Sequence, residues 1–184
     1  MEVGLQQLAL PIIISSVVLF FASFLSWMVI QLHRKDWRKL DREDQFLSAT
    51  NLLNIAPGNY MFPNCTNSAE MNSEEYKKKW QTGPRGTMTI SPPKMEMGKN
   101  LALTFVYFLV VNFCIAYLAE MAIKPGADFM FVFRFVSTAA LLAYLPAIVA
   151  HSIWFRVRIT GHIIESVAYA LIVGVIFAAL WPAT

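Results

Sequence analysis

Four apolar stretches, residues 8–32, 101–123, 129–155 and 159–181, are each long enough to cross a bilayer and together fill about half of the 184-residue chain. A spanning helix needs roughly 20 apolar residues. In hydrocarbon every backbone N–H and C=O must find its partner inside the protein, which leaves only helices and closed barrels. The charged fraction is 15%, against about 25% in average soluble domains, and 57% of the residues are hydrophobic. The expected fold is therefore an all-α membrane protein with four transmembrane helices. The first occupies residues 1–32, a loop region with short helices and a hairpin occupies 33–98, and a three-helix transmembrane region occupies 99–184.

The first run differs from a secretory signal. No basic residue precedes it, only Glu2, and its apolar part is longer than a signal h-region of about 7–15 residues. It is expected to persist as a helix. Cys65 and Cys114 have no metal-ligand spacing and imply no disulfide framework.

Basic residues set the orientation. Arg34, Lys35, Arg38, Lys39 and Arg42 follow the first span, Lys94 and Lys99 precede the second, and Arg156 and Arg158 join the third to the fourth. The turn between spans two and three holds only Lys124. By the positive-inside bias the loop 33–98 and the turn 156–158 face the cytoplasm, and both termini are periplasmic if the host is a bacterium. Trp27, Trp37, Trp154 and Trp181 fall near span ends, where indoles anchor in the interface.

The loop is too small and polar for much of a core of its own and is expected to lie against the membrane surface. Residues 36–55 read as a helix that can ride in the interface, with Leu40, Phe46, Leu47, Leu52, Leu53 and Ile55 set against Asp41, Arg42, Glu43 and Asp44 before Pro57-Gly58 ends it. A second helix is predicted at 73–81, with Ser73 as N-cap, Glu74 and Glu75 in the first turn, and Lys77, Lys78 and Lys79 toward the end. The lysine run is thus a helix end and not a nucleic-acid patch. Tyr60-Met61-Phe62 and Thr87-Met88-Thr89-Ile90 are strand-like and can pair.

The segment Pro57-Gly58-Asn59-Tyr60-Met61-Phe62-Pro63-Asn64-Cys65, followed by Gly83-Pro84-Arg85-Gly86-Thr87-Met88-Thr89 and three apolar spans, resembles a group of uncharacterised bacterial four-span inner-membrane proteins. The resemblance implies a bacterial inner-membrane location and no particular chemistry.

Polar groups within spans are the functional candidates, because a centred charge costs on the order of 2.5–3.5 kcal/mol on insertion scales. Glu120 and Arg134 flank the Pro125-Gly126 turn, at depths that a snorkelling arginine can bridge. They are expected to form a structural ion pair locking the hairpin; the other reading is half of a proton or ion path. All three histidines, His33, His151 and His162, fall at the cytoplasmic ends of spans. Span three carries Ala139, Ala143, Ala147 and His151 at four-residue steps, and span four carries His162, Ser166, Ala170, Gly174 and Ala178. Such rows permit close helix approach, although a four-residue step drifts by about 40° and cannot stay on one face. His151 and His162 lie at nearly equal depth, with Glu165 one turn below. Two imidazoles and a carboxylate can hold a transition metal, and two imidazoles a haem. Alternatively the histidines bond to headgroups, water or loop backbone, while Glu165 pairs with Arg156, Arg158 or a loop lysine.

Ser15, Ser16, Ser23 and Ser26 of span one read as a packing face. No internal repeat or broken central helix suggests a transporter, and no serine sits in a nucleophile elbow. The expected role is an accessory, scaffolding or assembly subunit with protein partners in the bilayer and none among nucleic acids. The alternative is a metal- or haem-binding redox or ion-handling protein using His151, His162 and Glu165.

Overall fold

The computed structural model describes residues 4–183; Glu2, which entered the reading of the first span, lies outside them. Along the chain run α1 (Ala9–Phe24), a π turn (Leu25–Val29), a 3-10 turn (Arg34–Asp36), α2 (Glu43–Leu52), β1 (Gly58–Phe62), α3 (Ser68–Met71), α4 (Glu74–Thr82), β2 (Gly86–Ile90), α5 (Met97–Ala122), α6 (Phe129–Tyr144), α7 (Pro146–Trp154) and α8 (Thr160–Ala179). The chain divides into two compact units, Met1–Arg38 with Met97–Thr184, and Lys39–Glu96.

The first unit is a bundle. Four of its helical stretches, Ala9–Val29, Met97–Ala122, Phe129–Trp154 and Thr160–Ala179, are long and apolar enough to cross a membrane. α1 packs on α5 and α8, and α6 packs on the same two helices, so the four stand at the corners of a square. Neighbours run antiparallel: Ser16 meets Asn112 while Phe20 meets Phe105, and Gly174 meets Phe133 while Ser166 meets Tyr144.

Periodicity explains the faces. Leu8, Pro11, Ile12, Ser15, Ser16 and Leu19 of the first span are buried at steps of three and four, the spacing of one helix face. Between them Leu10, Ile13, Val17 and Phe21 point outward. Were the bundle to stand in lipid, apolar side chains would gain nothing from leaving it, and close packing and interhelical hydrogen bonds would have to hold the helices together. The Asn112 amide donates to the Ser16 hydroxyl at 3.0 Å, wholly buried between α1 and α5, and the serine row is the packing face its sequence suggests.

In α8, 44% of the apolar window is buried, against 17 to 28% in the other three, which makes it the most enclosed helix. Ser166, Ala170, Gly174 and Ala178 are all buried. The drift of the four-residue row is absorbed because α8 is flanked on two sides, by α1 and by α6. At Gly174 a Cβ would lie 2.9 Å from Ser137 Cβ and 3.0 Å from Phe133 Cδ2.

The third span departs from its expected form. Pro146 lacks an N–H and crowds the residue before it, and the stretch breaks into α6 and α7 at Leu145. Val132, Val136 and Ala140 form the buried face of α6, whereas Ala143 and Ala147 are exposed. Of the alanine row only Ala139 packs against the core. At the opposite end of the bundle the residues after α8 are tied to the α5–α6 turn: Trp181 Nε1 donates to the Lys124 carbonyl at 3.0 Å, and Gly126 N–H donates to the Pro182 carbonyl at 2.8 Å.

In the second unit β1 and β2 pair antiparallel, with Tyr60 opposite Met88, as the two strand-like runs suggest. α4 starts where its cap signal stands, with the Ser73 hydroxyl accepting from Tyr76 N–H at 3.1 Å. The helix read over 36–55 is shorter than expected: Trp37 is extended and Arg42 non-helical, so regular helix covers only Glu43–Leu52. α3 was hidden in the capping pattern Asn67-x-x-Glu70, where Asn67 accepts from Glu70 N–H and the Glu70 carboxylate accepts from Thr66 N–H. That backbone bond, with the Thr66 hydroxyl and then Lys79, holds the Glu70 carboxyl below its ordinary range. No described residue of this unit is buried, in keeping with a segment too polar for a core.

Candidate metal centre

At the end of the first span the α-helix widens into a π turn, in which Ile30 N–H donates to the Leu25 carbonyl at 2.8 Å. Gln31 then takes a left-handed φ of 53°, a conformation a non-glycine residue holds only where surrounding structure fixes it. Together these reverse the chain into the 3-10 turn and drive His33 back into the bundle, where it is 3% exposed. Gly161 makes the room: a Cβ there would fall 2.8 Å from His33 Cε1 and 2.9 Å from Nδ1.

His33 stands between two carboxylates. Its Nδ1 lies 2.8 Å from Asp36 Oδ2, and its Nε2 lies 3.0 Å from Glu165 Oε2. The second contact is close but poorly aligned, and Nε2 lacks a true hydrogen bond. Asp36 Oδ1 and Glu165 Oε1 are likewise buried without hydrogen-bond partners, although Arg158 Nε approaches Asp36 Oδ1 to 3.8 Å. The Trp27 ring stacks on His33 with centroids 4.0 Å apart, and the His162 ring lies 4.5 Å from it. Ligand atoms of His33, Asp36 and His162 all fall within 4.8 Å of one another.

Two carboxylates here are only about a tenth exposed. Buried charges are stable only when paired, hydrogen-bonded or bound to a metal. A doubly protonated His33 can donate toward both, as an ionic lock. A divalent cation between Asp36, His162 and His33 Nδ1 would serve the same electrostatic need, with Glu165 behind the second nitrogen. With Nε2–H turned onto Glu165, 3.0 Å away, this would be the carboxylate–histidine–metal arrangement that orients ligating imidazoles.

Of the residues expected from sequence, His162 and Glu165 are in this cluster. His151 is not: it sits exposed on α7, its ring stacked on Phe155 at 4.5 Å, and its place beside His162 is taken by His33. The signal for His33 was its position at the same predicted membrane face and its partner Asp36 three residues on. Trp27, expected as a plain interfacial anchor, forms a wall of the cluster. A haem has no slot between the tilted rings of His33 and His162.

The structure does not bring Glu120 and Arg134 together. Glu120 is half-buried and Arg134 exposed, with no ion pair between them among the described residues. Arg134 is two residues from both Val132 and Val136, about 200° around the helix from the face they bury.

Fold and site define a four-helix bundle, of membrane-spanning length and apolarity, with a buried histidine–carboxylate cluster at one end. No family model matches the chain, and no curated protein or solved structure matches it either.

Proposed function

We propose that the chain is a multi-pass inner-membrane protein that holds a divalent first-row transition metal at His33, Asp36 and His162, with Glu165 orienting His33. The observation that carries this reading is the convergence of three ligand atoms within 4.8 Å, in a place where two carboxylates are nearly buried. Mixed imidazole and carboxylate donors suit zinc, iron, manganese or nickel better than soft-ligand metals. The basic residues Arg34, Lys35, Arg38, Arg156 and Arg158 near this end of the bundle support a cytoplasmic position for it and periplasmic termini. The resemblance to bacterial four-span proteins supports the inner membrane.

The test is metal content and thermal unfolding of the purified chain, before and after chelation and after adding manganese, iron(II) or zinc. Roughly one metal per chain is expected. A ligand at a hundred times its dissociation constant should stabilise by about 2.7 kcal/mol, and Asp36→Asn should abolish the shift. Absence of bound metal, with unfolding unaffected by any of the three ions, sinks the metal reading and leaves the ionic lock.

A second reading, an accessory or assembly subunit, is favoured by the outward position of Ala143 and Ala147 and the lack of buried residues on α7. Small residues in such a row allow another helix to approach. Gentle-detergent purification from native membranes tests it: a stoichiometric protein partner lost in Ala143→Leu supports this role, and a chain that purifies alone opposes it.

A further inference from the structure

Gly161, whose bare Cα makes room for His33, also lines a cavity of about 390 Å³. Three cationic side chains, Arg34, Lys35 and Arg158, line it, together with the apolar Ile30, Leu32 and Ile164. No acidic side chain lines it among the described residues. Arg158 is partly engaged, with Nε 3.8 Å from Asp36, and Arg34 makes only a long contact to the Gln31 amide oxygen at 3.5 Å. Lys35 has no ion-pair partner among the described residues. Three cations converging on one concave space repel one another unless an anion joins them.

The cavity combines that charge with an apolar wall at the junction of two membrane-length helices. A soluble anion would use only the first property. A phospholipid uses both, with phosphate against the cations and glycerol and upper acyl carbons against Ile30, Leu32 and Ile164. Basic pockets between membrane helices on the positive side bind anionic head groups in this way. We propose that this cavity is a phosphate site filled by the head group of an anionic phospholipid. None of the three cations is a proposed metal ligand, but Arg158 approaches Asp36 and Gly161 adjoins both places, so the site is tested on chelated protein.

The test uses the full chain, delipidated in non-ionic detergent and treated with chelator, so that failure of the metal reading does not affect it. Short-chain phosphatidylglycerol, short-chain phosphatidylcholine and inorganic phosphate are titrated separately, and binding is followed by thermal unfolding and by native mass spectrometry. Phosphatidylglycerol should bind more tightly than phosphatidylcholine. Lys35→Gln should weaken it about fivefold and Lys35→Arg should restore it, in line with about 1 kcal/mol for each basic residue near an anionic surface. Lys35 is exposed, so its variants should unfold at the wild-type temperature without lipid, and this control separates lost binding from lost folding; Arg34→Gln provides a second charge removal. If inorganic phosphate alone reproduces the whole Lys35-dependent shift, the site takes free phosphate and the lipid assignment falls. Equal binding of the two lipids, or indifference to both Lys35→Gln and Arg34→Gln, overturns the site altogether.

Discussion

Gly161 carries the sharpest consequence for a single residue. Because a Cβ would meet the buried His33 ring at 2.8 Å, and that ring is held by Trp27 on one side and carboxylates at both nitrogens, it has nowhere to retreat. Gly161→Ala is expected to destabilise the bundle by about 1–3 kcal/mol, the usual cost of overpacking, read as a lower unfolding temperature in detergent. His33→Ala should cost more, on the order of 3–5 kcal/mol, since it strands two buried carboxylates. Adding Asp36→Asn and Glu165→Gln to His33→Ala should recover most of that loss; a triple variant as unstable as the single one would exclude buried charge as the cause. The Asn112–Ser16 bond is a smaller matter: interhelical hydrogen bonds average roughly 0.6 kcal/mol in membrane proteins, and Asn112→Ala should lower stability by about that amount plus the lost packing.

Among the elements, the α6–α8 contact depends on close backbone approach. Gly174→Leu must push Phe133 and Ser137 aside, because even its Cβ would fall 2.9–3.1 Å from them, so it should lower the unfolding temperature more than Ala143→Leu on the exposed row, and equal effects would refute the geometry. This contrast marks where sequence was readable. The buried side of α8 was legible because small residues recur at every fourth position. Its partner was misjudged because the alanines on span three looked equivalent, whereas the buried face of α6 is Val132, Val136 and Ala140 and Gly174 abuts Phe133 and Ser137. The four long apolar helices, the two strands and the Ser73 cap were legible because each rests on local chemistry. The His33 cluster was only half legible: its geometry depends on a π turn and a left-handed Gln31, neither of which has a period or motif, and on contacts between residues more than 120 positions apart. Arg134 failed as an ion-pair partner because a depth within its reach does not imply the same face.

At the scale of the whole molecule, the bundle draws all its buried residues from either side of Lys39–Glu96. Since α1 and α5 are antiparallel neighbours, their linked ends lie on one side, and replacing residues 39–96 with a short flexible linker should leave the bundle folded with its unfolding temperature little changed. Loss of the fold on this excision would mean that the inserted unit supports the bundle. Reporter fusions test the orientation: a reporter active only in the periplasm should be silent at Asn72 and active at the C-terminus. Finally, Gly161 belongs both to the lining of the cationic cavity and to the ceiling over His33. The two compartments thus meet at a residue that has no side chain. Any enlargement at this point edits both compartments at once, so independent control over them has to be sought at Lys35 and at His162, never in the wall they share.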